Sequence, residues 1–253
     1  MTALRLCRLI LLLPTSLFFL VAGAIVNIVT AASESCRARA CAVCTMMWAR
    51  VMCMILGIRI KKSGAESELG GFVVCNHSSY LDVLVMGSVR PSSFLAKKEV
   101  KGWPLVGWLA TLGGTLFVNR ENKKSAVMAM EEIGRKIDHG VMVVIFPEGT
   151  TSDGRSIRVF KSTFFSVPAC RNMPVTPVSI RYPAELIGSV AWYGGMGLLP
   201  HLWRLLGIRR IDASIYFNPP VWRQEAHLSA ANARKQLCAQ AYESVVQGFG
   251  TAG

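Results

Sequence analysis

Short, fully apolar runs alternate along the chain with longer stretches whose apolar residues recur at helical spacing. The short runs, rich in valine and isoleucine, predict buried strands at residues 72–75, 141–146, 175–180 and 213–217. An amphipathic helix is predicted over residues 125–139, and a closing helix over residues 228–247, with Ser229 as N-cap and Gly248 at its exit. This alternation predicts an α/β fold with a largely parallel mixed sheet flanked by helices.

The N-terminal part of the chain is strongly apolar. Residues 9–32 contain no charged side chain and exceed the roughly 20 residues that span a bilayer. A second apolar run, residues 40–60, carries Arg50 near its middle, which favours a hairpin or an interfacial helix over a lipid-exposed span. A cleaved signal peptide is the alternative for the first run, because Arg5 and Arg8 precede it, but apolar regions of that class have roughly 7–15 residues. We therefore predict an N-terminal helix pair that anchors the chain to a membrane.

A small, polar segment separates this anchor from the rest of the chain. Residues 63–69 (SGAESEL) predict a linker, so the expected domains are an anchor over residues 1–62 and a catalytic domain over residues 63–253. Basic residues after the first apolar run outnumber those before it, which predicts a catalytic domain on the cytoplasmic face. Residues 192–210 predict either an interfacial flap, with Trp192, Trp203 and Arg204 at headgroup depth, or ordinary core packing.

Composition favours a membrane-associated protein. Hydrophobic residues make up 52% of the 253 residues, the mean hydropathy is +0.39 and the formal net charge is +13. This charge suits anionic lipids and phosphorylated substrates, and without a basic tract interleaved with stacking aromatic residues nucleic acid is not expected as a partner. The eight cysteines include one CxxC pair, Cys41 and Cys44, but no second pair and no nearby histidine. Reduced, buried cysteines are therefore expected rather than a zinc site, and no metal is required.

The stretch FVVCNHSSYLD, residues 72–82, places a histidine between a predicted strand and a predicted helix. Ser78 or Ser79 is expected to cap that helix. Asp82, one turn into the helix, is close enough to hold one nitrogen of the His77 ring, fix its tautomer and favour the imidazolium. The spacing predicts a general base with an orienting carboxylate, although a helix-capping histidine beside an aspartate has the same pattern.

Further polar residues follow predicted strands. GTLFVNR ends in Arg120, FPEGT contains Glu148 and Gly149 directly after the strand at residues 141–146, and Lys161 comes shortly afterwards. Ligands bind at the carboxyl ends of strands in open sheets of this kind. Arg120 and Lys161 are therefore candidates to neutralise a phosphate, arginine by a two-pronged contact and lysine as a point charge. An exposed charge at Arg120 and a loop-holding carboxylate at Glu148 are the alternatives.

Taken in order, NHSSYLD, GTLFVNR, FPEGT and MPVTPV resemble the four motif blocks of the lysophospholipid and glycerolipid acyltransferase family, over residues 72–218. The resemblance implies transfer of a fatty acyl group from acyl-CoA or acyl carrier protein to the free hydroxyl of a lysolipid, without a cofactor. It implies a base at His77 with Asp82 as its partner, and an N-terminal helix pair in one membrane leaflet. The residues it implies for substrate binding are Arg120, Glu148, Gly149, Thr150, Lys161, Lys97 and Lys98.

One position departs from the family pattern. Many lysophosphatidate acyltransferases have arginine directly after FPEGT, where this chain has Thr151, and Arg155 or Arg158 is a candidate to supply that charge. The expected acceptor is 1-acyl-glycerol-3-phosphate, giving phosphatidate, with lyso-ornithine lipid as the alternative. A membrane-anchored lipid-binding protein without turnover is the non-enzymatic alternative. A serine hydrolase is disfavoured because no G-x-S-x-G elbow is present.

Overall fold

The computed structural model of the protein describes residues 2–66, 71–224 and 229–251. Within these ranges the helices are α1 Thr2–Val29, α2 Glu34–Leu56, α3 Leu81–Val89, α4 Val106–Leu112, α5 Lys123–Asp138, α6 Ser166–Arg171, α7 Ala184–Val190, α8 Leu198–Leu205 and α9 Ala230–Thr251. The strands are β1 Ile58–Gly64, β2 Phe72–Cys75, β3 Ser92–Lys97, β4 Leu116–Val118, β5 Met142–Ile145, β6 Thr176–Arg181 and β7 Ile211–Phe217.

These strands form one sheet in the order β1-β7-β6-β2-β5-β3-β4. Neighbouring strands are parallel except for β6 and β7, which are antiparallel. The predicted α/β fold with a largely parallel mixed sheet is therefore confirmed. Because β2, β3, β4, β5 and β6 run in the same direction, the loops after them gather at one edge of the sheet, where sheets of this type bind ligands.

The central strands are buried on both faces, which explains their uninterrupted apolar sequences. All residues of β2 and of β5 are buried. Successive side chains of a strand point to opposite faces, so Val73 and Cys75 join one hydrophobic cluster while Phe72 and Val74 join the other. The first cluster includes residues of α2, α3 and α8, and the second includes residues of α5 and α9. Helices thus cover both faces of the sheet.

Two long apolar helices, α1 and α2, occupy the region where the sequence predicts the anchor, and both are long and apolar enough to cross a membrane. The Ser33 hydroxyl begins α2 by accepting a hydrogen bond from the backbone N–H of Cys36 at 3.3 Å. Gly57 ends it at φ 70°, a left-handed conformation that glycine adopts without strain. The second apolar run is therefore not a single element, because its last residues, from Ile58, belong to β1.

Strand β1 crosses the boundary predicted between anchor and catalytic domain. It pairs in parallel with β7 from Ile58 to Gly64, so residues on both sides of position 62 belong to the sheet. Ser63 and Gly64 of the predicted linker lie in this strand, whereas residues 67–69 of the linker fall outside the described residues. The division of the chain into two domains stays a prediction.

The closing helix differs from its prediction at the C-terminal end. Ser229 does cap it, since its hydroxyl accepts a backbone N–H of the first turn at 3.3 Å, while Leu228 lies outside the described residues. The predicted exit at Gly248 is wrong, because α9 continues through this residue for three more positions. A Cβ at Gly248 would lie 2.6 Å from side-chain atoms of Ser179 and Asn218. The glycine therefore permits close packing of α9 on the sheet rather than ending the helix.

Candidate active site

His77 and Asp82 lie at the carboxyl edge of the sheet, where β2 leads into α3. The Nδ1 atom of His77 is 2.9 Å from Oδ2 of Asp82. The His77 side chain is 17% exposed and the Asp82 side chain 0%. The contact expected from the spacing is therefore present, and it joins a ring that reaches the surface to a carboxylate that does not.

Four donors surround the Asp82 carboxylate. Besides the ring, Oδ2 accepts the backbone N–H groups of Ser78 at 2.7 Å and Ser79 at 2.9 Å. Oδ1 accepts the Tyr182 hydroxyl at 2.8 Å. Burial raises the pKa of Tyr182 well above its ordinary range, so this hydroxyl keeps its proton and donates. Because an ionised carboxylate only accepts, we assign the ring hydrogen to Nδ1 of His77, which leaves Nε2 as the basic atom.

The expected serine cap of α3 is wrong, because Tyr80 occupies the N-cap position and no side chain caps the helix. The Ser79 hydroxyl accepts the backbone N–H of Leu81 at 3.3 Å. The shorter hydrogen bonds at this helix start are those from the loop backbone to Asp82. A side chain of the first helical turn thus fixes the loop before the helix, and the same carboxylate holds the histidine.

Neighbouring groups restrict the plane and position of the His77 ring. Phe146, directly after β5, stacks on the ring with centroids 4.0 Å apart and an interplanar angle of 18°. Phe94 of β3 stacks on Phe146 in turn at 6.5 Å. The buried Asn76 side chain donates to the carbonyl of Ile180 at 2.8 Å and accepts its N–H at 2.7 Å, which ties the loop to β6. The direction of Nε2 is therefore fixed by packing as well as by Asp82.

Glu148 braces two loops from a buried position. Its Oε1 accepts the backbone N–H of His77 at 2.6 Å, and its Oε2 accepts the backbone N–H of Arg158 at 3.0 Å. Burial raises the pKa of this carboxyl to about 7, against a smaller opposing effect of the two N–H donors. Both oxygens have protein partners, which matches the loop-holding alternative. A contact between Glu148 and the acceptor stays a prediction.

Arg120, Gly149 and Lys161 form a second group directly beside the first. Nη1 of Arg120 donates to the carbonyl oxygen of Gly149. Gly149 has φ 79°, and a Cβ there would lie 2.8 Å from Arg120 Nη1 and 3.2 Å from Lys161 Nζ. Glycine thus supplies both the left-handed backbone and the space for two cations. The two residues predicted to bind phosphate are brought together at the loop that follows β5.

The remaining predicted substrate-binding residues lie further out. Thr150 is exposed in the FPEGT loop, and Lys97 and Lys98 are exposed at the end of β3. Lys97 is in register with Val118, shortly before Arg120, so these lysines share the carboxyl edge of the sheet. In the part of the chain that the structure describes, none of the three side chains has a hydrogen bond to the buried carboxylates of the site. Their role in binding stays a prediction.

Tyr182 is the residue of this site that the sequence analysis misses. It lies directly after β6 and is 100 positions from Asp82 in the chain. Because β6 pairs with β2, the end of β6 lies beside the loop that carries His77. A tyrosine immediately after a predicted strand is a detectable signal, but its meaning depends on knowing which strands are neighbours.

A family model described as Acyltransferase matches residues 58–181. A lyso-ornithine lipid O-acyltransferase of Rhizobium meliloti is 34% identical over 69% of this chain and 65% of its own length. A Pseudomonas aeruginosa protein of the same name is 33% identical over 82% of this chain and 79% of its own. A 1-acyl-sn-glycerol-3-phosphate acyltransferase of Neisseria gonorrhoeae is 31% identical over 64% of each chain.

A solved structure also resembles this one over nearly its whole length. The crystal structure of the 1-acyl-sn-glycerophosphate (LPA) acyltransferase, PlsC, from Thermotoga maritima superposes with a TM-score of 0.65 and covers 98% of this chain and 97% of its own. The sequence identity is 20%, so this likeness shows a shared fold.

Proposed function

The chain belongs to the acyltransferase family, and on that premise we propose that it transfers a fatty acyl group from a thioester donor to the free hydroxyl of a lysolipid. The observation that carries the proposal is the His77–Asp82 pair, in which a partly exposed ring is held at 2.9 Å by a buried carboxylate. The proposed donor is acyl-CoA or acyl carrier protein. A thioester is already activated, so the transfer needs no covalent intermediate with the protein.

In the proposed step, Nε2 of His77 takes the proton of the lysolipid hydroxyl as its oxygen attacks the thioester carbonyl carbon. The new C–O bond forms, the tetrahedral adduct collapses and the C–S bond breaks. The leaving thiolate receives the proton from the imidazolium and departs as a free thiol. Asp82 stabilises the imidazolium while the ring holds the proton. General base catalysis of this kind contributes on the order of 10²–10⁴ in rate.

Arg120 and Lys161 are proposed to bind the acceptor headgroup. The Arg120 guanidinium uses Nη1 on the Gly149 carbonyl, and its other N–H groups suit a two-pronged contact with phosphate. Lys161 adds a point charge close to the same glycine. Two cations suit a doubly charged phosphate, so we propose 1-acyl-glycerol-3-phosphate as the acceptor and phosphatidate as the product.

Lyso-ornithine lipid is the second candidate acceptor, and two observations favour it. The relatives from Rhizobium meliloti and Pseudomonas aeruginosa carry that activity in their names. In addition, Thr151 occupies the position where many lysophosphatidate acyltransferases have arginine, and this threonine is buried. Arg158, whose backbone binds Glu148, is the candidate to replace the missing charge.

We also propose that the chain works on the cytoplasmic side of a membrane, with α1 and α2 as its anchor. Both helices are apolar enough for contact with lipid, and the protein covers little of α1. A lipid-binding protein without turnover would not need a buried carboxylate with four donors behind a partly exposed histidine. The network around Asp82 therefore favours the enzyme over the non-catalytic alternative.

The test compares acyl transfer by membranes that contain the wild type, His77→Ala or His139→Ala. Labelled acyl-CoA and acyl carrier protein are supplied in parallel with lysophosphatidate and lyso-ornithine lipid. His139, at the end of α5, is the matched control. We expect His77→Ala to stay folded and membrane-bound but to lose on the order of 10²–10⁴ in rate, while His139→Ala keeps its activity.

Each other outcome has a defined meaning. Near-normal turnover by His77→Ala would remove the base assignment. A preference for lyso-ornithine lipid would make the second candidate the acceptor. If neither lysolipid is acylated with either donor, the remaining candidate is a lipid-binding protein without turnover.

A further inference from the structure

Helix α1 buries few of its residues: Leu9 and Leu12 pack partly against the core, and most of its other large apolar side chains face away from the protein. Its buried residues are Arg8, Ser16 and Gly23. The exposed stripe recurs at helical spacing and consists of Leu6, Ile10, Leu13, Leu17, Val21, Ile25 and Ile28. A surface helix in water has the reverse arrangement, with apolar residues toward the core. The medium that suits the outer side of α1 is therefore hydrocarbon.

The protein holds α1 at both ends. Near its start, the buried Arg8 guanidinium donates to the carbonyl oxygens of Leu206 at 3.1 Å, Ile208 at 2.5 Å and Arg209 at 3.0 Å, just beyond α8. Near its end, the Asn27 side chain donates to the last carbonyl of α4 at 3.0 Å. These two attachments are about 28 Å apart along the helix axis. α1 therefore runs along the catalytic part of the molecule, with α8 at one end and α4 at the other.

Both of these shorter helices carry exposed apolar side chains next to α1. On α8, Leu199 is 75% exposed and Trp203 40%, and the two are one turn apart on one face. Arg5 of α1 lies over the Trp203 ring, 5.3 Å from its centroid. On α4, Trp108 is 60% exposed and lies one turn before Leu112, whose carbonyl binds α1. The apolar surface of α1 therefore continues onto the catalytic part at both ends.

We propose that the membrane contact of this protein extends beyond its anchor, from the outer stripe of α1 onto Leu199 and Trp203 of α8 and onto Trp108 of α4. The occupant of this surface is an anionic lipid bilayer. Continuity with α1 supports this choice, because the outer stripe of α1 already suits hydrocarbon. Tryptophan is enriched where membrane meets water. The exposed Arg204, next to Trp203 in the chain, and the exposed Arg209, just beyond α8, suit anionic headgroups.

Helix α8 is also joined to the loop that carries the candidate base. His201, buried on the inner side of α8, lies with Nδ1 3.0 Å from the Tyr80 hydroxyl, and Tyr80 directly precedes α3. Trp192 is half-buried and donates its backbone N–H to the Ser78 carbonyl at 2.9 Å, while its position at headgroup depth stays a prediction. A bilayer against α8 would therefore bring a lysolipid close to His77. This consequence rests on the proposed function, whereas the contact itself does not.

Quenching of tryptophan fluorescence by brominated lipids tests the contact without any assay of activity. The full chain is reconstituted into vesicles of phosphatidylglycerol and phosphatidylethanolamine with dibrominated acyl chains. The chain has six tryptophans, so contributions are separated with Trp203→Phe, Trp108→Phe and the matched control Trp222→Phe, which removes a 54% exposed ring. Trp222 follows Val221, which packs against the hydrophobic cluster that includes α5 and α9, on the other face of the sheet from α8.

We expect the quenched fraction of the emission to fall in Trp203→Phe and in Trp108→Phe, because each removes a ring in contact with lipid. Trp222→Phe should leave that fraction equal or raise it. An unchanged or increased quenched fraction in both of the first two variants overturns the proposal.

A second measurement connects the surface to catalysis. Leu199→Glu should lower acyl transfer about threefold to tenfold when the acceptor is in vesicles, because a carboxylate avoids hydrocarbon, and leave it unchanged in detergent micelles. The matched control is Met128→Glu, on α5, which alters a 68% exposed side chain and should lose nothing in either medium. Equal rates for Leu199→Glu and wild type in vesicles, or equal losses in both media, would overturn the link. If the wild type acylates neither lysolipid, the proposed function fails while the quenching result still decides the contact.

Discussion

The hydroxyl of Tyr182 reaches the Asp82 carboxylate from a distant part of the chain. Removing it tests how far the orientation of His77, the candidate base, contributes to the rate. Tyr182→Phe leaves Oδ1 of a fully buried carboxylate without its donor, so we expect a stability loss of about 1–3 kcal/mol. The carboxylate then holds the His77 ring less firmly. We expect kcat to fall about tenfold, equivalent to about 1.4 kcal/mol, with little change in KM. Initial rates below the melting temperature of each variant check this.

Tyr242→Phe is the matched control, because it removes a hydroxyl that lies 3.4 Å from the carbonyl of Ile157. It should keep the wild-type kcat. A rise in KM with an unchanged kcat in Tyr182→Phe would contradict a positioning role and indicate contact with the lipid.

Glu148 makes the stability of the protein depend on pH. Its pKa is raised by burial from an ordinary 4.5 to about 7. Between these values the folded chain keeps a proton that the unfolded chain has lost, so stability falls as pH rises. The contribution of Glu148 to the free energy of unfolding is complete below its unfolded pKa and is lost as pH rises through its folded pKa. This contribution amounts to something on the order of 3 kcal/mol.

Glu148→Gln removes the titrating group, so its melting temperature should change less than that of the wild type between about pH 5 and pH 8. Thermal unfolding in detergent across this range measures the difference. Parallel curves for the two proteins would show that Glu148 does not titrate there.

The candidate site was predictable where it depends on local spacing. His77 and Asp82 are five positions apart, so one loop and one helical turn decide their contact. Arg120 and Lys161 come from separate stretches, so local spacing does not predict that they meet at Gly149. The stack of Phe146 on the His77 ring and the donor at Tyr182 come from other strands, which local patterns do not relate to one another.

At the scale of single elements, two glycines of α9 have opposite surroundings. A Cβ at Gly248 would lie 2.6 Å from Ser179 and Asn218, whereas a Cβ at Gly250 has nothing within 4 Å. Gly248→Ala should therefore cost about 1–3 kcal/mol by forcing the helix away from the sheet. Gly250→Ala should be neutral or stabilise by up to about 1 kcal/mol, since alanine favours a helix. Thermal unfolding separates the two, and a gain in stability for Gly248→Ala would show that helix propensity outweighs packing there.

Strands with apolar sequences were predictable, including β7, in which buried and half-buried residues alternate, whereas β1 and β3 were missed. Phe72–Cys75 and Met142–Ile145 are continuous apolar runs because helices cover both sides. β1 has one buried residue, Ile58, and its basic sequence merges with the apolar run before it. β3 begins with the buried polar pair Ser92 and Ser93, so no continuous apolar run in the sequence predicts this strand. The hydroxyl of Ser93 is satisfied by the Gly114 carbonyl, a partner that only the fold supplies.

At the scale of the whole molecule, strand order decides the site. β2 lies between β5 and β6, which brings Glu148 and Tyr182 to the loop of His77. The resulting contacts join residues far apart in sequence: His77 and Glu148 are 71 positions apart, Asp82 and Tyr182 100, and Asn76 and Ile180 104. Periodicity predicts the elements and their faces, but it carries no information about which strands are neighbours. The ordered motif blocks predicted that their residues meet, because that prediction came from a family resemblance rather than from local pattern.

The attachments of α1 also constrain how the whole molecule lies on a membrane. A helix of 28 residues is long enough to cross a bilayer. Arg8 and Asn27, however, bind one end of α1 to the residues after α8 and the other end to α4, so we expect the helix to stay on one side. Two exposed native cysteines report on this: Cys36 lies in α2, just beyond α1, and Cys170 lies in α6. If α1 crossed the bilayer, these two thiols would be on opposite sides.

We expect a membrane-impermeant maleimide to label Cys36 and Cys170 together in inside-out vesicles and neither of them in intact spheroplasts. Cys36→Ser and Cys170→Ser assign the labelled positions, and detergent-opened vesicles show that the reagent reaches both. Labelling of Cys36 only from the outer side would mean that α1 crosses the membrane. Arg8 and Asn27 could not then both keep their partners, and separating Arg8 from them would leave a guanidinium and three carbonyl groups without hydrogen bonds in a low-dielectric region. Labelling from one side is therefore the outcome that keeps the hydrogen bonds of Arg8 and Asn27.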